Sequence, residues 1–245
     1  MNHFTVIDFV GIKDCIFEPS SPIRHATELN SILNTRSSNN PILLIYSDGG
    51  PDHRLTYLTV QISYICLFLT RDLDLLCVVC TPPYHSWKNP VEKIMSILNL
   101  ALHSVGLMRA HMSPEYETVI KSCTTMKAIR EAAELHPALR EALLDSIEPV
   151  KALLSALFLQ LKLKEDPFSV FSAATIGEIN CFWDTILKVD HLMSKGDCTK
   201  KVLQDRPDLV KFLKHCCKAR HYLFSIKKCG EQDCSICTPP RLPAQ

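Results

Sequence analysis

Two groups of residues in this sequence could do chemistry. The first is a pair of acids. Asp48 closes the apolar run Pro41–Tyr46 in the turn-rich string Ser47-Asp48-Gly49-Gly50-Pro51, and Glu92 follows Asn89-Pro90 at the start of a helical stretch. Carboxylates at the carboxyl ends of neighbouring parallel strands face the crevice where open α/β sheets bind ligands. Hard oxygen donors converging there suit Mg²⁺ or Mn²⁺. Such ions activate a water and stabilise the leaving oxygen of a phosphodiester. Each acid also has a plainer reading: Asp48-Gly49 as a turn dipeptide, and Glu92 as the third residue of a capping box begun by Asn89. Asp52, His53 and His85 could join a metal site here, or be ordinary loop polars. That set would define a metal-dependent phosphohydrolase.

The second group is the string Cys216-Cys217-x₃-His221-x₇-Cys229-x₄-Cys234-x₂-Cys237. Zn²⁺ takes four soft or borderline ligands in a tetrahedron, and a Cys-x₂-Cys loop delivers two at once. Cys234 and Cys237 form that pair, Cys229 is the third ligand, and the fourth is His221, Cys217 or Cys216, with His221 written as the ligand. A closed four-ligand site is structural. The plainer reading is a set of reduced thiols in a frayed tail. Residues 195–245 hold eleven Lys and Arg against five Asp and Glu, so this segment suits a phosphate backbone as well as a solvated basic face.

The elements that must position these residues are legible in part. Pro41–Tyr46 reads as a buried strand, Arg54–Thr70 as a buried helix, and Leu73–Cys80 as a second buried strand. Asn89–Val105 reads as an amphipathic helix. Alternation of strand and helix predicts an α/β fold with parallel strands. Upstream, Phe4–Val10 and Cys15–Phe17 could be strands, with a helix over 23–33. After Ser113 the pattern becomes helical throughout: 124–135, 137–163, 175–193 and 209–219. Trp87 reads as a core anchor for its loop. The expected division is 1–112 for the α/β core, 113–225 for a helical region and 226–245 for a small cysteine-rich tail.

Composition narrows the function classes. The 245 residues are 47% hydrophobic and 22% charged, with a formal net charge of +1, so the chain as a whole does not advertise a nucleic-acid partner. The run Val60–Leu69 is too short for a membrane span. Met1–Asp14 lacks a basic start followed by an apolar stretch. Twelve cysteines therefore read as buried thiols and metal ligands in a reducing compartment, nuclear or cytoplasmic, not secreted.

The segment bearing Asp48 resembles the one that carries the second catalytic Asp of integrases and related transposases. His85-Ser86-Trp87-Lys88-Asn89-Pro90-Val91-Glu92 is similar to the Asn-Pro-Ile-Glu segment of mariner-type transposases, where the Glu is the third acid. The resemblance covers Ile42–Arg109. The longer phrase Thr81–Leu100 also resembles uncharacterised transposon-derived proteins of invertebrates. It implies a partial RNase H-like core of the DDE type, Asp48 and Glu92 as catalytic Mg²⁺ or Mn²⁺ ligands, and DNA as partner. The 44 positions between the two acids exceed the usual mariner spacing. The first acid of the triad has no clear counterpart. Asp8, in Val6-Ile7-Asp8-Phe9, precedes Asp48 by only 40 positions, short for the strands that should intervene, and Asp14 is closer still. The chain is thus expected to be N-terminally truncated, a decayed or truncated Mg-dependent nuclease and strand-transferase. The alternative is a non-catalytic nucleic-acid-binding or protein-interaction module with a zinc-stabilised C-terminus.

Overall fold

The computed structural model describes residues 8–36, 39–196, 199 and 201–242. In chain order the elements are β1 (Phe9–Ile12), α1 (Pro22–Thr35), β2 (Ile42–Ser47), α2 (Leu58–Thr70), β3 (Leu75–Cys80), α3 (Val91–Ala101), α4 (Pro114–Ser122), α5 (Met126–Leu135) and α6 (Pro137–Leu159). There follow β4 (Lys162–Leu163), β5 (Asp166–Pro167), β6 (Ser169–Ser172), α7 (Ile176–Trp183), α8 (Pro207–Cys216), β7 (Cys217–Arg220) and β8 (Leu223–Lys227). The fold is mixed α/β with parallel strands. It divides into two compact units, one from Met1–Pro19 and Val91–Ala173, the other from Ser20–Pro90 and Ala174–Gln245. Each unit draws on two stretches of chain, so the sequential blocks 1–112 and 113–225 are each split between them, while 226–245 falls wholly in the second.

The second unit contains a four-stranded sheet of order β2-β3-β8-β7. β2 and β3 pair in parallel over Ile42↔Leu75 to Ser47↔Cys80, and α2 makes the crossover between them. β8 runs antiparallel to β3, and β7 antiparallel to β8. α2 is apolar on nearly all sides, with Leu58, Val60, Ile62, Ile65, Leu67 and Phe68 all buried, the pattern of a helix enclosed by its neighbours. One sheet face (Leu76, Val78, Cys80, Phe224 and Ile226) is buried in this core, with Leu43 and Ile45 packed against it. Phe68 meets Phe212 edge-on at 6.5 Å, and Tyr64 meets Phe224 at the same distance. On the opposite face of β2, Ile42, Leu44 and Tyr46 are exposed, Leu44 by 72%. α1 is capped by Ser21, with Pro22 in its first turn. Its Arg24 donates to the Ala174 carbonyl, and the Ala174 amide donates to Glu28, which ties α1 to the start of α7.

The first unit is built on α3–α6 and the parallel pair β1·β6. Ser113 and Thr125 cap α4 and α5. Arg109 grips Glu117 through both guanidinium nitrogens at 2.8 and 2.7 Å, and this hydrogen-bonded pairing holds the half-buried carboxyl at about 2.

Several expectations are corrected. The chain after Ser113 is not all helical, because β4–β8 lie there. The expected helix 209–219 ends at Cys216, where Cys217 turns extended (φ −107°, ψ 143°) and opens β7. Beyond it Phe224 and Ile226 are buried while Lys227 faces out, a period of two that marks a strand. Cys15–Phe17 is a turn rather than a strand: the Asp14 carboxylate accepts the amides of Ile16 and Phe17, as aspartate does in such turns. Residues 4–7 of the first expected strand lie outside the described residues. The helix expected over 175–193 stops at Trp183 and tightens into a 3₁₀ turn through Lys188. Trp87 is exposed, with the Lys88 ammonium 5.0 Å from its ring, so it anchors no core. No cysteine among the described residues is disulfide-bonded.

Candidate metal centre

α8 buries Leu209, Phe212 and Cys216, positions three and four apart that form one helical face. His215 therefore points away from that face, in the last turn. Two residues past the end of β8 comes Cys229, and the loop after it carries Cys234 and Cys237. The structure brings His215, Cys229, Cys234 and Cys237 together, with all four ligand atoms within 4.8 Å of one another. His215 Nε2 is 3.3 Å from Cys234 Sγ and 3.7 Å from Cys237 Sγ. Cys237 Sγ is 3.5 Å from Cys229 Sγ and 3.7 Å from Cys234 Sγ.

These separations can be checked against tetrahedral zinc. Bonds of about 2.3 Å to sulfur and about 2.0 Å to nitrogen place neighbouring sulfurs about 3.8 Å apart, and sulfur and nitrogen about 3.5 Å apart. The cluster matches both. Three thiols and an imidazole select zinc over a hard cation. The sulfurs are further oriented by the backbone, since the Cys229 amide donates to Cys237 Sγ and the Ile236 amide to Cys234 Sγ, both at 3.4 Å. The electrostatics fit as well. Amides of Cys237 and Ile236 hold the Cys234 thiol down to about 6. Cys229 accepts from the Glu231 amide, yet burial and the neighbouring thiols push it up to about 11. Crowded thiols cannot all ionise without a cation among them, so metal and proton compete for this site.

The tail is stapled on both sides of the cluster. Lys228, with a side chain 2% exposed, sits 2.6 Å from Asp72 and 3.2 Å from Asp74, and donates to the Pro239 carbonyl. Asp74 accepts the amides of Arg241 and Leu242, both at 2.8 Å. Burial raises the Asp74 carboxyl, but these amides and Lys228 outweigh it and hold it below its ordinary value. Thus residues 228–242 close over the α2–β3 loop.

The expected ligand set is corrected at one position. His221 is not with the cysteines. It lies in the turn between β7 and β8, its ring 6.0 Å from that of Tyr222. The sequence signal for His215 was weak: it precedes Cys229 by fourteen positions, and only the strand hairpin between them folds it back.

Asp48 stands at the carboxyl end of β2, as expected, on a cleft of about 500 Å³ that also includes Arg54, Thr81, Asn89 and His221. Its carboxylate is 63% exposed and lies 3.8 Å from His53 Nε2. His25, unremarked in the sequence, joins this neighbourhood. Its ring is 5.1 Å from that of His53, and it contacts Asp52 at 3.6 Å and Glu28 at 3.8 Å. His85 sits instead near Trp87, ring to ring at 6.5 Å. These groups form a chain of pairs. Among the described residues, the tail cluster is the only set of three or more His, Cys, Asp or Glu ligand atoms that converges. Glu92 lies in the first turn of α3, in the other compact unit. Asp8 is buried with Oδ2 lacking a hydrogen-bond partner, and burial and the charge of Asp166 raise its carboxyl. Asp14 is spent on its turn.

No family model matches the chain, and no curated protein or solved structure is significantly similar to it. No helix among the described residues is long and apolar enough to cross a membrane.

Proposed function

We propose that this chain is a transposon-derived protein, similar to DDE-type transposases, that works as a zinc-stabilised, non-catalytic nucleic-acid-binding module of the nucleus or cytoplasm. The observation that carries the reading is the convergence of His215, Cys229, Cys234 and Cys237 at tetrahedral spacing. The centre is closed and sulfur-rich, so it supplies folding energy rather than a reactive water. It fixes the elements that carry the local positive charge: Lys214 in the last turn of α8, Lys218 and Arg220 on β7, and Lys227 at the end of β8, all exposed. Lys211 is paired with Asp208, and Lys200 lies outside the described residues. Phosphate contacts of this kind need only exposed cations on a rigid support. The test is binding of labelled DNA and RNA oligonucleotides to the zinc-loaded and the chelator-stripped protein. Binding by the loaded form alone supports the reading; no binding by either removes it.

The second reading keeps the nuclease ancestry as chemistry. It is favoured by the strand–helix–strand unit β2–α2–β3 with Asp48 at its carboxyl edge over a cleft. On that reading Mg²⁺ or Mn²⁺ held at Asp48 activates water against a DNA phosphodiester, and Asp48→Ala abolishes Mg²⁺-dependent nicking. Equal nicking by the variant and the parent removes Asp48 from any mechanism.

A further inference from the structure

One face of the four-stranded sheet is packed into the core, and the other carries a sorted pattern. The strand registers place Tyr46, Val79, Leu223 and Arg220 in one row across the sheet. Leu44, Cys77, Ser225 and Lys218 form the next row, and Ile42, Leu75 and Lys227 the third. Each row begins with a large exposed side chain on β2 and ends in an exposed cation on β7 or β8. No acidic residue occurs anywhere in the four strands. Neighbouring strands lie about 4.8 Å apart, so the backbone at Arg220 and Lys218 stands about 14 Å from the β2 residues of their rows. The face is therefore a shelf, apolar along the β2 edge and positive toward the β7 edge. Contiguous apolar surface bordered by charge marks an interaction site.

Resting on the nucleic-acid reading above, we infer that this shelf binds a single nucleic-acid strand, with a base stacked on Tyr46 and phosphates held at Arg220, Lys218 and Lys227. Charge complementarity selects the occupant. The partner must bring anions to the β7 side and flat apolar surface to the β2 side at once. A single strand does both, because its backbone is anionic throughout and its unpaired bases offer their faces to aromatic side chains. A duplex keeps its bases stacked on one another, so it meets the cations with its phosphates and leaves Tyr46, Leu44 and Ile42 in water. A second copy laid face to face would set the same cations together and bring no carboxylate from these strands to meet them. Every base has a π-face, so binding tolerates any sequence. Stacking and phosphate contact are blind to the sugar, so DNA and RNA strands are one ligand here.

The test titrates the zinc-loaded full chain into labelled oligodeoxythymidine and into a duplex of the same length, at one fixed salt concentration. The single strand is expected to bind about tenfold more tightly than the duplex, and Tyr46→Ala to remove that advantage. The variant's duplex affinity and salt slope stay those of the parent, because no cation has been touched. Tyr46→Phe keeps the ring and is expected to bind like the parent. Ultraviolet cross-linking of the parent to oligodeoxythymidine, mapped by peptide mass spectrometry, is expected to label the peptide that carries Tyr46. No binding of either probe overturns the nucleic-acid reading and this inference with it. Duplex bound as tightly as the single strand overturns this inference alone, as does Tyr46→Ala binding the single strand like the parent. A dimer in solution that Leu44→Asp dissociates assigns the face to a second copy and likewise overturns it. The parent's cross-link map decides the matter even if a variant does not fold, since labels confined to peptides away from β2 overturn the inference.

Discussion

Lys228 carries its ammonium 3.2 Å from the Asp74 carboxylate, at the junction where the tail leaves β8 and crosses the α2–β3 loop. Both side chains are buried, and Asp74 also receives two amides from the tail. Removing the carboxylate leaves a buried ammonium with only Asp72 and the Pro239 carbonyl, and two tail amides without that acceptor. Asp74→Ala is expected to cost about 3 kcal/mol, read as a lower midpoint in urea unfolding. The pH dependence follows from the direction of the shift. The folded carboxyl lies below its unfolded value of about 3.9, so the unfolded chain binds the proton first. The Asp74 contribution is complete above that value and is lost as pH falls through the folded one. Stability of the parent should therefore drop in acid below about pH 4 more steeply than that of Asp74→Asn. Parallel curves for the two proteins would show that the carboxylate's charge is not what holds the tail.

The identity of the nitrogen ligand gives a sharp prediction, because sequence and structure choose different histidines. His215→Ala removes a donor 3.3 Å from Cys234 Sγ and is expected to lower zinc affinity by one to two orders of magnitude or abolish it. His221→Ala, in the β7–β8 turn, is expected to leave zinc at about one per chain. Cys234→Ser should lose the metal outright. Competition with a chelator of known affinity measures all three. Zinc loss from His221→Ala with retention in His215→Ala would restore the original assignment.

What could be read from the sequence was what local pattern alone determines. The run Ile42–Tyr46 was legible as a strand and α2 as an enclosed helix, because neither has a polar face, but the strand's expected burial is corrected: Ile42, Leu44 and Tyr46 are exposed on one face of β2. Cys234 and Cys237 declared themselves by a two-residue spacing that has few other uses. What could not be read was long-range. β1 pairs with β6 across some 160 positions, which no local period encodes. The hairpin β7–β8 was hidden because Leu209–Cys216 sets a strong helical period that the apolar Cys217 and Ala219 do not interrupt. His215 stayed hidden for the same reason, since its place among the three cysteines depends on that hairpin's reversal.

The core makes an independent prediction about what the zinc clip rests on. Phe212 is fully buried on α8 and meets Phe68 of α2 edge-on. Phe212→Ala is expected to destabilise the unit by about 3–5 kcal/mol through lost burial and a residual cavity. Because α8 also positions His215, the variant should lose zinc at a lower urea concentration than the parent. Urea titrations followed by tryptophan fluorescence and by chelator-detected zinc release would give coincident midpoints in each protein. Zinc held well past unfolding would mean that the tail binds metal without the helix.

The nucleic-acid reading stands or falls on Lys218 and Arg220. They alternate along β7 with Cys217 and Ala219, whose partners Ile226 and Phe224 are buried, so both cations project from the face of the sheet opposite the core. Neither belongs to the metal centre, and each can be neutralised without disturbing a ligand. If both meet phosphates, the double variant Lys218→Ala/Arg220→Ala should bind a labelled oligonucleotide more weakly for every sequence tried. The slope of log affinity against log salt should also fall by about 2 for a duplex, one counterion-release contact for each cation lost. Zinc content serves as the control and should not change. A weakened affinity with an unchanged slope would mean that the two residues act through folding. An unchanged affinity would leave the basic face a solvated one.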